Sequence, residues 1–205
     1  MNSCNKKIIL ASASPRRREL LSQIGMEFEI RPSGASEQTK GTRPAEIVEE
    51  LSALKAGEVF DALSKEERAD ALVIGADTIV ALDGRIMGKP KDPGEAALML
   101  GRLQGRTHQV YSGVTLVWQG REDSPSRIRL SFHEKTDVAM FPMTEREIER
   151  YVATGEPLDK AGAYGIQGKC ASHIRGLRGD YYNVVGLPLG RLCQEMKKAG
   201  LMAAD

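Results

Sequence analysis

The chain has 205 residues, of which 41% are hydrophobic and 28% charged, and its formal net charge is +1. That is enough chain for one sizeable domain or two lobes sharing a core, with an ordinary globular composition. The near balance of charge argues against a nucleic-acid binder held by bulk electrostatics and against a polybasic membrane attachment. The 5% aromatic content argues against a base-stacking module. No apolar run approaches the ~20 residues of a membrane span, and residues 1–5 do not read as a signal peptide, so a cytoplasmic protein is expected. Cys4, Cys170 and Cys193 are odd in number and far apart, and read as reduced thiols rather than a metal knuckle or a disulfide framework. His108, His133 and His173 are isolated, and no zinc site follows from their spacing.

Residues 7–11 predict a first strand. Ser14 is the expected N-cap of the helix that follows, with Pro15 at its first position, Leu20, Leu21 and Ile24 on its buried face and Gly25 at its end. Residues 33–43 read as a polar loop. Residues 44–60 have helical period, with Val48, Leu51 and Val59 on one face. A charged segment, 64–70, precedes residues 72–82, an apolar run that reads as a buried strand. Asp83-Gly84 predicts a hairpin pairing residues 85–87 back on that strand. Asp92-Pro93-Gly94-Glu95 has capping-box spacing and opens a helix carrying Leu98, Met99 and Leu103. Residues 108–118 and 127–139 read as strands joined by a polar turn, with Ile128, Leu130 and Phe132 alternating. Thr144 and Glu147 repeat the capping spacing before Ile148, Tyr151 and Val152, and Gly155 stops that helix. A glycine-rich stretch at 159–168, residues 180–186 and a last helix over 188–198 close the chain. Interleaved strands, helices and hairpins predict an α/β fold, a mixed sheet with flanking helices.

Asp77 most needs explaining. A lone carboxylate in an apolar strand must be paired, bound to a metal or put to chemical use. Arg16, Arg17 and Arg18 fall in a first helical turn, where the dipole disfavours each cation by roughly 0.3–1 kcal/mol. A bound anion turns that repulsion into attraction; the alternative is a solvated basic face. Lys55 lies four residues after Leu51 and four before Val59, on the apolar stripe of its helix, and either snorkels to solvent or reaches a phosphate or carboxylate. Lys89 stands between Gly88 and Pro90 at a strand end, a weak phosphate signal alone. Glu37, in the polar loop, is locally a solvated acid. Residues 162–168 (GAYGIQG) permit close backbone approach to a ligand, without the setting of a dinucleotide fold or a P-loop. Gln167 offers a donor and an acceptor that can read the edge of a base. A buried acid with basic loops points to a metal-assisted site for a phosphorylated ligand.

Ser12-Ala13-Ser14-Pro15-Arg16-Arg17 after the first strand, Gly75-Ala76-Asp77-Thr78, Gly88-Lys89-Pro90, residues 151–168 (YVATGEPLDKAGAYGIQG) and residues 179–189 (GDYYNVVGLPL) together resemble the Maf family of nucleoside triphosphate pyrophosphatases. The resemblance runs from about residue 8 to about residue 192. It implies one elongated α/β domain over residues 1–205, a mixed twisted sheet with flanking helices and two lobes around a cleft, related to the inosine triphosphate pyrophosphatases (Maf/Ham). It implies hydrolysis of a nucleoside triphosphate to the monophosphate and pyrophosphate, assisted by Mg²⁺ or Mn²⁺. Asp77 matches the family's catalytic aspartate. Arg16, Thr78 and Gln167 match positions tied to substrate choice, and in the branch this chain resembles they go with dTTP and UTP. Ser12, Ser14, Arg16, Arg17, Lys55 and Lys89 are the phosphate-binding candidates; Glu37 and Asp77 are the metal candidates. A homodimer is expected, with no nucleic-acid or membrane partner. Two other readings stay open: a nucleotide-binding regulatory protein linked to cell division, and a 7-methylguanosine triphosphate pyrophosphatase. Residues 170–178 (CASHIRGLR) depart from the resemblance, being more polar and basic than the apolar stretch expected there, and Ala13 stands where glycine is also common.

Overall fold

The computed structural model describes residues 4–36, 38–120 and 126–203. Its strands form one mixed sheet of order β2-β1-β3-β5-β6-β7, with β4 paired on β3. β1 (Lys7–Leu10) runs parallel to both β2 (Phe28–Ile30) and β3 (Ala71–Leu82). β4 (Arg85–Met87) folds back antiparallel on β3 through Asp83 and Gly84, whose φ values of 51° and 74° suit a tight two-residue hairpin. β5 (Thr107–Gln119) and β6 (Arg127–Met140) lie between β3 and β7 (Ile174–Arg178), which is antiparallel to β6 with a register shift at Ala139/Met140. Among the described residues no helix is long and apolar enough to cross a membrane.

The chain gathers into two compact units: Met1–Asp77 with Ser112–Glu134 and Gly186–Asp205, and Thr78–Tyr111 with Lys135–Val185. The first holds α1 (Pro15–Gln23), α2 (Pro44–Asp61), α3 (Lys65–Asp70) and α7 (Leu189–Lys198). Its core includes Ile9, Ala56, Val59, Phe60 and Val73. The expected stripe of α2 is as read: Val48, Leu51 and Val59 are all buried. Helix α3 was read only as a charged segment. It buries no residue, so it has no apolar period, and it is held by a reciprocal capping box between Ser64 and Glu67.

The second unit holds α4 (Pro93–Leu103), α5 (Glu145–Val152), α6 (Tyr181–Val185) and short 3₁₀ turns at Glu156–Asp159, Ala161–Ala163 and Lys169–His173. Asp92 caps α4 by accepting from the Glu95 amide. The inward face of α4 is Ala96, Leu100 and Leu103, a four-then-three spacing; Leu98 points out and is 67% exposed. Asn183 is fully buried and donates to the Val110 carbonyl and the Thr136 hydroxyl, so the residue at the centre of the 179–189 motif is a stitch in the fold. The polar 170–178 stretch also finds its reason. It forms a 3₁₀ turn and then β7, at the sheet's edge, where Arg175 and Arg178 are exposed.

Candidate active site

In the first unit the site starts from the pairing of β1 with β3. Leu10 lies opposite Ile74, and the Ala11 amide donates to the Ile74 carbonyl at 2.8 Å. Ser12 stands just beyond the end of β1, and Asp77 lies within β3, three residues on from Ile74. The chain leaves β1 towards β2 on one side, and β3 borders β5 on the other. The carboxyl end of β1, the kind of place where open α/β sheets hold ligands, thus lies beside the middle of β3.

Asp77 is 8% exposed and Lys55 answers it. Lys55 Nζ donates to Asp77 Oδ1 at 2.6 Å, and the two side chains are 14% and 11% exposed. Two glycines permit that reach. A Cβ on Gly75 would lie 2.4 Å from the Ser52 carbonyl oxygen and 2.7 Å from the Ala56 nitrogen; one on Gly113 would lie 2.1 Å from the Val48 carbonyl oxygen. The backbone of α2 therefore lies directly on the strands. Gly75 and Asp77 alternate onto the same face of β3, the face that meets α2. Ser52, fully buried, bonds Thr115 at 2.8 Å and Thr115 bonds Ser131 at 2.9 Å, so the polar groups beneath the helix are satisfied. The lysine reaches a carboxylate, as one of its two sequence readings had it.

The β1–α1 turn carries Ser12, Ser14, Arg16 and Arg17. Ser14 is the N-cap and Pro15 takes the first helical position, yet the Ser14 hydroxyl caps no amide. The Ser14 amide instead donates to Ser12 Oγ at 3.2 Å. Arg17 donates to the same Ser12 Oγ at 3.0 Å and, through Nε, to the Gly186 carbonyl at 2.9 Å. Arg17 thus braces the turn from within the protein. Arg16 is half-buried and Arg18 exposed.

The donor types can be tested against a divalent metal. Among the described residues no group of three or more His, Cys, Asp or Glu side chains can hold one. Glu37, the second metal candidate, lies outside the described residues. Asp77 supplies the hard carboxylate oxygen that Mg²⁺ or Mn²⁺ takes. Mg²⁺ commonly rests on one or two carboxylates, with substrate phosphates and water completing its shell. This donor set fits an ion that arrives with a triphosphate, and does not by itself form a protein cage.

In the second unit the glycine-rich segment packs on Val80 and bonds Gly88, near neighbours in sequence of the candidates Thr78 and Lys89. Thr78 is half-buried, two residues before Val80 on the same face of β3. A Cβ on Gly162 would come within 2.9 Å of the Val80 side chain. The Gly162 amide donates to the Gly88 carbonyl at 3.0 Å, next to exposed Lys89. Gln167 is exposed. Sequence reasoning did not single out what holds it. The Tyr151 hydroxyl donates to Glu156 Oε1 at 2.9 Å and accepts from the Gly165 amide at 3.1 Å, while Glu156 Oε2 accepts from the Lys169 amide at 3.0 Å. A Cβ on Gly168 would lie 2.1 Å from Glu156 Oε1, and one on Gly165 would lie 2.7 Å from Lys160 Cε. The space at these glycines is filled by the protein's own side chains. The sequence holds only Glu156's place in the 151–168 motif, just after the helix-stopping Gly155.

Residues 7–199 match the family described as Maf-like protein. The chain belongs to the Maf family. This Maf chain is 51% identical over 203 residues to the dTTP/UTP pyrophosphatase of Agathobacter rectalis, covering 95% of the chain and 98% of that relative. It is 52% identical over 196 residues to the dTTP/UTP pyrophosphatase of Pelotomaculum thermopropionicum, covering 95% and 97%. Among solved structures, the Staphylococcus aureus Ham1 protein superposes with a TM-score of 0.51 at 15% identity, over 95% of this chain and all of that one. That likeness shows the fold: the Maf chain has the mixed α/β sheet of the Ham1 proteins, as the sequence motifs led one to expect.

Proposed function

We propose that this chain is a nucleoside triphosphate pyrophosphatase that converts dTTP and UTP to their monophosphates and pyrophosphate. The buried Lys55–Asp77 pair, joining α2 to the middle of β3 beside the end of β1, carries this reading. The names of relatives at about half identity over nearly the full chain support the substrate. The same reading treats residues 1–205 as one working domain, places the activity in the cytoplasm and makes the enzyme a homodimer, which light scattering on the purified chain tests.

The reaction is attack of a water oxygen on the α-phosphorus, with rupture of the bond from that phosphorus to the α–β bridging oxygen. The water gives up one proton, and pyrophosphate leaves with the bond's electron pair. Asp77 orients that water and accepts its proton. In phosphoryl transfer of this kind positioning and charge stabilisation do most of the work. Lys55 serves first as the partner that makes a buried Asp77 tolerable. As the triphosphate enters, its ammonium also faces phosphate charge. Arg16 binds phosphate at the N-terminus of α1, where the helix dipole favours an anion. Arg17 acts through Ser12 and the Ser14 amide, keeping the turn in shape. Lys89 is assigned to phosphate as well. A divalent ion, held by Asp77 and Glu37, would supply charge neutralisation and acidify a bound water. Thr78, Arg16 and Gln167 select the base, with Gln167 offering paired donor and acceptor to a pyrimidine edge.

The test is direct. The full chain with Mg²⁺ or Mn²⁺ should release pyrophosphate, not orthophosphate, from dTTP and UTP. Orthophosphate as first product would rule out attack at the α-phosphorus. Turnover of 7-methylguanosine triphosphate above UTP would move the chain to the other substrate branch.

A further inference from the structure

Gln167 is exposed and sits in a segment of glycines, residue types that cost the most entropy to order. A side chain meant to read hydrogen-bond donors and acceptors needs a fixed backbone beneath it. Two amides bracket Gln167: that of Gly165, two residues before, and that of Lys169, two residues after. Both end on one side-chain pair. The Gly165 amide donates to the Tyr151 hydroxyl, which donates to one oxygen of Glu156; the Lys169 amide donates to the other oxygen. Tyr151 is 5% exposed and rooted in α5, and burial pushes its phenol well above its ordinary value, so it remains a donor throughout the working range. Glu156 is fixed at its own root. Its amide donates to the Thr154 hydroxyl, and its carbonyl accepts from the Lys160 ammonium at 2.7 Å. Gly168 packs so close to the Glu156 carboxylate that a methyl there would collide with it.

We propose that Glu156 is the positioning residue for Gln167: with Tyr151 it clamps the chain on both sides of the base-reading glutamine, so nucleobase choice depends on a carboxylate that touches no substrate. The inference rests on the pyrophosphatase reading above and adds to it a residue that sets selectivity at a distance. A carboxylate suits the role because both incoming groups are donors and an ionised carboxylate only accepts. An amide in its place keeps one acceptor and presents a donor to the other partner. Glu156→Gln should therefore restore part of the function that Glu156→Ala removes.

The experiment compares kcat and KM for UTP, ATP and GTP in wild type, Glu156→Ala, Glu156→Gln and Tyr151→Phe, alongside hydrogen exchange at the Gly165 and Lys169 amides. Glu156→Ala should speed exchange at both amides. It should also lower the UTP-to-purine ratio of kcat/KM by about tenfold, chiefly through KM, since binding contacts rather than chemistry are lost. Glu156→Gln should fall between, and Tyr151→Phe should free the Gly165 amide with the same sign of ratio change. If Glu156→Ala does not fold, Gly168→Ala, which drives a methyl into the carboxylate, should produce the same two changes. A wild type that hydrolyses UTP while the ratio stays constant in a folded Glu156→Ala or Gly168→Ala overturns this inference alone, as does unaltered exchange. A wild type that releases no pyrophosphate from UTP overturns the parent reading, and this inference with it.

Discussion

Asp77 in the first unit is a buried carboxylate and Glu156 in the second a half-buried one, and they are satisfied in opposite ways. Among the described residues Asp77 is met by a cation, the Lys55 ammonium, on one oxygen. Glu156 is met on both oxygens by neutral donors fixed in α5 and in the backbone. A charge balanced by a single flexible ammonium can exchange that partner for a phosphate, an ion or a proton. A charge balanced by a phenol and a peptide amide has little freedom to do so, and serves as a bracket. On the roles proposed above, catalysis draws on the first kind of carboxylate and base reading on the second.

The comparison breaks most sharply at Asp77. Asp77→Asn keeps the shape and removes the charge, and should cut kcat by ~10²-fold or more with circular dichroism unchanged. A fully active or an unfolded Asp77→Asn protein contradicts the assignment. Lys55→Met tests the partner. It strands a buried carboxylate, so a loss of about 3 kcal/mol in denaturant unfolding is expected, with activity falling in parallel. The double variant Lys55→Met/Asp77→Asn should regain most of that stability and none of the activity; simple additivity would deny the coupling. Gly75→Ala comes next. Its methyl would meet the α2 backbone and lift the helix off β3, at a cost of about 1–3 kcal/mol, and turnover should drop because Lys55 no longer reaches Asp77. An unaltered melting temperature would mean that α2 has slack.

On the other side of the comparison the effects are smaller. Gln167→Ala should reduce the UTP-to-purine ratio of kcat/KM by about tenfold while lowering overall turnover less. Unchanged ratios would move base selection elsewhere. The smallest effect concerns stability and pH. His108 is fully buried against Tyr164, its Nε2 2.8 Å from the tyrosine hydroxyl, and burial holds its imidazole down to about 4 from an ordinary 6.5. The folded value is the lower one, so the unfolded chain takes up the proton first as pH falls. The stabilisation is complete above about pH 6.5 and is lost between there and about pH 4. The stability advantage of wild type over His108→Gln should shrink across that window, and a constant difference would exclude the titration.

What was legible in the sequence follows from periodicity and from rule-breaking. Residues 44–60 declared their helix, and Lys55 stood out because it shared a stripe with Leu51 and Val59. Asp77 stood out because the strand around it was apolar. Asp92, Thr144 and the Asp83-Gly84 hairpin carried local chemistry that fixes an element end whatever surrounds it. β2 left no trace: its three residues are too few for a pattern, and the parallel pairing of Phe28 with Ile8 defines it. α3 buries nothing, and β7 is an edge strand whose arginines hid its alternation. Glu156 was unreadable for another reason. The partners of its carboxylate are a tyrosine hydroxyl and one backbone amide of an irregular loop, and no spacing announces a carboxylate that binds an amide. The glycines at 165 and 168 looked like room for a ligand, whereas the folded chain uses that room for Lys160 and Glu156.

The sheet's two outer strands bear on solubility at high concentration. Unpaired strand edges recruit further chains. Here one edge is only three residues long and lies beside the ion pairs of Glu29 with Lys7 and Arg31, and of Arg31 with Glu67. The other carries two exposed arginines, and the pairing of β7 with β6 is broken by a register shift at Ala139/Met140. A second copy approaching the β7 edge would meet the exposed Arg175 and an Arg178 already paired with Asp137 of β6. Runaway strand addition, the first step towards fibres, is thereby discouraged at both margins of the sheet.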